Sequence, residues 1–422
     1  GKLIGHAVGA PSATSISAIP GVSQQTLLSN ACSAINNGDI SCAMVIGGEA
    51  GYRIQQAKAA GVKLHDTVSE DAADIVLKPH EEMLPDYEQR SGLGQMPVGY
   101  YAIIDSALRH AQGLNVSRHR DQMAARYSRF SAIAENNPHA WNRQHISAET
   151  IRDASNKNPM LAFPYTKLHN SQWNIDQASA LLLCSVSLAE KLGIKRDRWG
   201  FPQVFTEANH MLNITARGQL DRCVGAALAG AAAFEAAACQ RHELDCLELY
   251  SCVPVAVDAY ARELSIPTDM DWSFTGGMPF AGGPFNSFVL HAVAQLAHCL
   301  RNKADSRGMV TTVSGILTKQ GFAIWGAEPN PNGYQFVDVT AATAAATDMR
   351  EVIADYCGSG TVAGYTVLHN RSGAHHGVVV VDLPNGRRTI ASTEDAATMA
   401  LMETSDYCQQ AVNVDNGRFT AR

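Results

Sequence analysis

The side chains able to do covalent or proton-transfer chemistry are scattered, and the stretch best shaped to hold a ligand contains none of them. Ten cysteines stand at 32, 42, 184, 223, 239, 246, 252, 299, 357 and 408. None forms a CxxC pair and most lie in apolar runs, so the expectation is free thiols in a reducing, cytoplasmic setting without a disulfide framework. His291 and His298 recur in an apolar helical pattern and are read as packing residues. His375-His376 fall in an expected hairpin turn with no other ligands nearby, so no metal site is expected. The stretch GGMPFAGGPFNSFVLHAVAQLAHCL begins at Gly276, where Gly276, Gly277, Pro279, Gly282, Gly283 and Pro284 precede a helical pattern. Asn286 and Ser287 fall at its first turn. Glycines there let backbone N–H groups approach a ligand, and a helix N-terminus favours negative charge. Glycines before a helix also serve tight packing against a strand, and spacing alone leaves both readings open. Between Met278 and Val289 there is no His, Cys, Lys, Asp or Glu.

The elements that must position this turn follow α/β grammar. A small-residue helix over Leu27 to Ile35 leads to CAMVIGGEA, the pattern of a buried parallel strand, and Ala180 to Cys184 is expected as a second buried strand. From about Lys78 to Asn158 the chain is more charged, with helices expected over Pro97 to Ala111 and Ser117 to Asn136. Strand GFPQVFTEA then precedes an Ala-rich helix from Gln219 to Gln240. LDCLELYSCVPV supplies a strand, Val255 to Glu263 a helix, and GMVTTVSGILTKQGFAIWG two strands after the glycine-rich turn. Strand, helix, strand, turn and helix partly repeat the first half. Beyond about Thr347, VAGYTVLHN, HGVVVVDL and RRTIAST alternate with Arg371-Ser372-Gly373 and Pro384-Asn385-Gly386, the signals of an antiparallel β-domain.

With 422 residues, two or three domains are expected; 46% apolar and 17% charged residues exclude disorder. The net charge of −7 with no basic run argues against nucleic acid and anionic membrane as partners. No apolar run reaches the ~20 residues of a membrane span. Gly1-Lys2-Leu3 opens the chain without a methionine, so the natural N-terminus and the first strands of the first half are expected to be missing.

These segments together resemble the thiolase superfamily over about residues 1 to 345. GDISCAMVIGGEA resembles the segment after the nucleophile-bearing helix, and NIDQASALLLCSVSLAEKLGI the strand and helix after the loop domain. LDCLELYSC resembles the strand with the Asn or His motif, GGMPFAGGPFNS the Gly-His-Pro turn, and TTVSGILTKQG the second-cysteine loop. NPHAW, FPYTKL and the appended β-domain narrow the resemblance to bacterial thiolase-like proteins of type 1, relatives of the sterol-carrier-protein-type thiolases. The resemblance implies a thiolase fold of two similar βαβ-rich halves layered α/β/α/β/α, plus an OB-like antiparallel barrel. The expected divisions are 1–199 with a helical insert at about 81–165, 200–346, and 350–422.

What the resemblance implies about chemistry is acetyl-CoA acetyltransferase activity on acyl-CoA in lipid or steroid metabolism, through a cysteine thiolate, a histidine, an Asn- or His-held water and a second cysteine. Here those positions fall on Gly21, Gly283, Tyr250, and Val313 or Ser314. All are replaced. Ser23 is either a helix cap or a stand-in, and Cys252 either an inert thiol or a nucleophile. Tyr250 either donates to a thioester oxygen or fills a cavity, and Gln320 is a cleft residue or a strand end. The expected ligand contacts are Gly282, Gly283, Pro284, Asn286, Ser287, Ser314 and Gly315, with coenzyme A or acyl-CoA as ligand and no covalent cofactor. Two readings remain: an acyl-CoA-binding or partner-binding protein without Claisen chemistry, and an acyltransferase rebuilt from other residues. A homodimer and a monomer are both compatible with this sequence.

Overall fold

Two units, each a helix followed by a strand of an antiparallel pair, carry the body of the protein. The computed structural model describes residues 1–64, 72–79, 84–301 and 303–422. In the first unit, helix Thr26–Asn36 leads into strand Cys42–Ala50, which pairs antiparallel with Asp176–Cys184. In the second, helix Phe288–Arg301 leads into Arg307–Ser314, which pairs antiparallel with Lys319–Gly326. The second unit belongs to a five-stranded sheet in the order 335–338, 201–209, 319–326, 307–314, 246–248. Helix Val224–Ala236 packs on this sheet, and Phe288–Arg301 lies between it and the Cys42–Ala50 pair. Layered α/β architecture follows, as expected.

Composition explains the close approach of helix Val224–Ala236. Gly225, Ala226, Ala229, Gly230 and Ala233 are buried, and a Cβ on Gly230 would lie 3.0 Å from Leu264. The helix is shorter than its apolar pattern suggests, because the flanking backbone bonds elsewhere. The Gly218 N–H donates to the Asp348 carbonyl and the Cys223 N–H to Glu263, while Ala238 takes a positive φ beyond the C-terminal end.

The Cys42–Ala50 strand is neither parallel nor fully buried, and Ala180 to Cys184 is not fully buried either. Helix Phe288–Arg301 covers one face, with Gly47 against Ser287 and Leu290. Cys42, Met44, Ala178, Ala180 and Leu182 are exposed on the other. Among the described residues this ladder has two strands, so apolar composition alone overstated its burial. A further parallel pair joins Ile16–Ala18 to Ile75–Leu77.

The C-terminal region closes into a five-stranded barrel. Strand Cys357–Asn370 pairs with both Gly373–Asp382 and Ala411–Asp415, and Arg388–Thr393 with Arg418–Ala421 completes the ring. Closure leaves no free edge within the ring. Met160–Ala162 and Tyr165–Thr166, from the FPYTKL region, extend the same sheet. The preceding helices are Pro97–Ala111 and Val116–Asn136. The expected start of the helical insert, near 81, lies outside the described residues. His375 and His376 occupy strand Gly373–Asp382, not the turn expected for them, because the reversal is completed at Arg371-Ser372.

The barrel is fastened to the body by buried polar contacts. The Arg388 guanidinium pairs with Asp382 at 2.7 Å and donates to the carbonyls of Arg217 and Gly218. On another side the Tyr365 N–H donates to Ser106 Oγ at 2.7 Å, and Arg109 pairs with Asp406 at 2.6 Å.

Candidate functional site

The Gly21 segment, Tyr250, the glycine-rich turn and the 313–320 loop meet in one place. Gln24 is the junction. Its Nε2 donates to the Tyr250 hydroxyl at 2.7 Å and to the Phe285 carbonyl at 3.1 Å, and its Oε1 accepts the Val289 N–H at 2.9 Å. Lys319 Nζ donates to the Gly21 carbonyl at 2.8 Å, tying the loop to the same segment. The Tyr250 ring stands edge-on to Phe288 with centroids 5.8 Å apart, and its N–H is held by Thr311 Oγ1.

The turn is packed tightly. An added Cβ on Gly283 would lie 1.9 Å from Ser171 Oγ, and one on Gly282 2.4 Å from Gln177 Oε1. The Gly283 N–H donates to the Gln172 carbonyl, Phe285 N–H to the Gly283 carbonyl, and Ser287 N–H to the Pro284 carbonyl. With Val289 satisfied by Gln24, these four donors of the turn are engaged within the chain. Phe285 has φ 33° and is exposed, and Asn286 beside it is half-buried.

None of the candidate nucleophiles is activated. Cys252 is half-buried, and desolvation pushes its thiol up to about 12. Burial also raises the Tyr250 hydroxyl, which stays protonated. Ser23 does not cap the helix: the N-cap is Gln25, and Ser23 contributes its carbonyl to the Thr26 N–H. Its hydroxyl is buried without a partner. A capping preference applies only when the serine stands at the helix boundary, and here the helix begins later.

The 313–320 loop carries the site's strain. Gly315, Ile316 and Leu317 have φ of 59°, 57° and 60° in succession. A β-branched residue in this region is costly, and such strain persists only where neighbours enforce it. Arg217 Nη2 holds the Ile316 carbonyl at 2.6 Å, Gln320 Nε2 holds Leu317, and Thr318 Oγ1 holds Gly315. Arg217 is buried, and among the described residues no carboxylate lies within ion-pair distance of it. It lines two small hollows, one with Glu88, Asn213 and Gly315, and a larger one of about 70 Å³ with His210, Thr343 and Gln320. His210 Nε2, Gln320 Oε1 and Thr343 Oγ1 are buried without partners around the larger one.

The chain superposes on the structure of a monomeric SCP2-thiolase like protein type 1 from Mycobacterium smegmatis with a TM-score of 0.80 and 23% identity. That alignment covers 96% of this chain and 83% of the other. Residues 340–417 match the family described as thiolase-like protein type 1 additional C-terminal domain. The chain has a thiolase-like fold, and its C-terminal region matches this additional domain. A second structure, acetyl-CoA acetyltransferase from Syntrophomonas wolfei, aligns at 16% identity with a TM-score of 0.51, covering 77% of this chain and 83% of that one. No curated protein matches this chain in sequence.

Within this thiolase-like fold the expected fold class holds, while the C-terminal family match begins at 340, ten residues before the expected division at 350. Gly21, Tyr250, Gly283 and Ser314 stand on segments that converge, and half-buried Cys252 packs against the core. Gln24 and Arg217 are the two organising residues that sequence reasoning missed. Gln24 sits two positions before a helix in a polar run, and Arg217 resembles any loop arginine. Only their long-range partners distinguish them.

Proposed function

We propose that this thiolase-like chain binds an acyl-CoA-type thioester and does not carry out Claisen condensation or thiolysis. The convergence of Gly21, Tyr250, Gly283 and Ser314 on one site without a thiolate or imidazole carries this reading. A glycine cannot form the acyl–enzyme bond, and Gly283 offers no base to generate a nucleophile. Ser171 fills the space that a side chain at 283 would need. Cys252 is a poor replacement, since a thiol pushed up to about 12 is protonated at neutral pH.

Binding places different demands on the site. The strained Ser314-Gly315 loop and the buried Arg217 guanidinium supply a polar surface beside two hollows. Gly282, Gly283, Pro284, Asn286 and Ser287 line neither hollow and in this reading contribute shape, since the N–H groups of Gly283, Phe285 and Ser287 already have acceptors. Among the described residues no helix is long and apolar enough to cross a membrane. The expected cytoplasmic location and the role in lipid or steroid metabolism rest on the resemblance alone.

Incubation with acetoacetyl-CoA and coenzyme A tests the chemistry: no turnover is expected from the wild type or from Gly21→Cys. Turnover comparable with a thiolase, lost in Cys252→Ser, would establish the rebuilt acyltransferase instead. Thermal unfolding with millimolar coenzyme A or acetyl-CoA tests binding; saturable protection is expected, and Gly283→Arg removes it. No shift at millimolar ligand overturns the binding reading in favour of a partner-binding scaffold.

A further inference from the structure

The larger of the two Arg217 hollows belongs to the face of the five-stranded sheet turned away from the Gly21 segment. Successive residues of strand Lys319–Gly326 point to opposite faces. Lys319 reaches the Gly21 carbonyl, and a Cβ on Gly321 would meet Gln25. Gln320, between them, turns instead to Cys223 and Gly225 at the start of helix Val224–Ala236. The missing side chain at 225 makes room for it, since a Cβ there would lie 2.3 Å from Gln320 Oε1.

The lining holds donors that the chain leaves unspent. Val224 and Gly225, the first two residues of that 13-residue helix, border the hollow. Among the described residues their N–H groups have no acceptor, whereas the Cys223 N–H goes to Glu263. Unspent N–H groups at a helix start favour an anion. Independently of the helix start, Thr343 of helix Thr340–Ala346 borders the hollow, is 3% exposed, and has a buried Oγ1 without a partner. Arg217 adds a buried positive charge: carbonyls of Leu212 and Ile316 hold Nε and Nη2, and no described residue accepts from Nη1. The other charged groups nearby are engaged or solvated. Arg222 forms a two-pronged pair with Glu263, and Asp348 is exposed. Glu88 borders Arg217 only at the smaller hollow, where its Oε1 is taken by Asn213 and Thr215. One acceptor also waits. Gln320 Nε2 donates to the Leu317 carbonyl, which leaves Oε1 buried without a donor.

We propose that this hollow binds a small oxyanion that carries an O–H group, the chemistry of hydrogen phosphate. Its oxygens accept from the Val224 and Gly225 N–H groups, Thr343 Oγ1 and the Arg217 guanidinium, and its O–H donates to Gln320 Oε1. Size agrees. A water needs about 10–15 Å³ of such space, so about 70 Å³ takes a group of roughly five heavy atoms. Exposed Gln219, Arg222 and Asp348 at the rim leave a route from solvent. The proposal does not rest on the acyl-CoA reading, because Gln320 and the helix start stand across the sheet from Gly21.

Titration calorimetry of the full chain at pH 7, at constant ionic strength, measures inorganic phosphate and, in parallel, sulfate. Saturable binding of one phosphate per chain is expected, about tenfold tighter than sulfate, which has no O–H for Gln320. Thr343→Val should weaken phosphate binding about tenfold, and its melting temperature without ligand checks that the fold is kept. Arg217→Met should abolish binding, but it also frees the Ile316 carbonyl, so Thr343→Val and the wild-type comparison of anions decide. Equal affinity for phosphate and sulfate overturns the proposal, as does phosphate binding untouched by Thr343→Val. Absence of phosphate binding overturns it too and leaves a hollow filled by water. Phosphate binding by a chain that ignores coenzyme A would sustain this site and remove the acyl-CoA reading alone.

Discussion

The Gln24 amide donates to the Tyr250 hydroxyl at 2.7 Å, across 226 positions of sequence, and the same side chain accepts the Val289 N–H. Three parts of the chain are thereby held by one half-buried glutamine. Gln24→Ala should destabilise the protein by about 1–3 kcal/mol, since it leaves several polar groups unsatisfied. Tyr250→Phe should cost less, about 0.5–1.5 kcal/mol. Urea denaturation of both variants and the double mutant measures the coupling; strict additivity would show that the contact contributes nothing specific.

Glycines in this chain differ sharply in what they tolerate. Gly276 has φ 97°, and a Cβ there would lie 2.5 Å from the backbone nitrogen of Ala134. Gly386 has φ 78° with nothing within 4 Å of its would-be Cβ. Gly386→Ala should cost about 1–2 kcal/mol from backbone strain alone. Gly276→Ala should exceed it by about 2 kcal/mol or more, because helix Val116–Asn136 must move. Equal midpoints in denaturant would refute the packing argument.

Acid should weaken the fold through His169. This imidazole is fully enclosed, hydrogen-bonded through Nδ1 to Thr166, and burial depresses its pKa to about 3. The unfolded chain binds a proton near pH 6.5, whereas the folded chain does not until about 3. The contribution is full above 6.5 and is lost as pH falls, by up to ~1.4 kcal/mol per pH unit. Stability measured between pH 7 and 4 should fall less steeply in His169→Gln than in the wild type. Parallel slopes would place the acid sensitivity elsewhere.

Arg388 should be the main fastening of the barrel. Its charge is buried, and its partners are Asp382 and two body carbonyls. Arg388→Leu should destabilise the protein by about 1–3 kcal/mol, because the buried carbonyls of Arg217 and Gly218 lose their donor. Calorimetry should then resolve a separate barrel transition. A single unshifted transition would show that the remaining contacts, including Tyr365 to Ser106, suffice.

Much of the fold was present in local pattern. Periodicity placed a helix over 97–111, a helical pattern after the glycine-rich turn and two strands between 308 and 326, because a long apolar repeat has few alternative solutions. Asn-Gly and Ser-Gly turns marked the C-terminal hairpins, since only certain residues accept those dihedrals. The spacing of the glycine-rich turn, Tyr250 and the Ser314 loop was also readable as segments in order. The exposed face of the Cys42–Ala50 ladder was not, because burial depends on what covers a strand. Nor was the role of Gln24, whose partners come from distant segments, or that of Arg217, which is defined by the loop it braces. Ser23 had a capping residue's identity but not a capping position. The sequence by itself determined which elements form and in what order the segments of the candidate site occur. Tertiary structure alone decided which polar groups meet and which donors remain unspent, because those depend on distances between segments that no local pattern encodes.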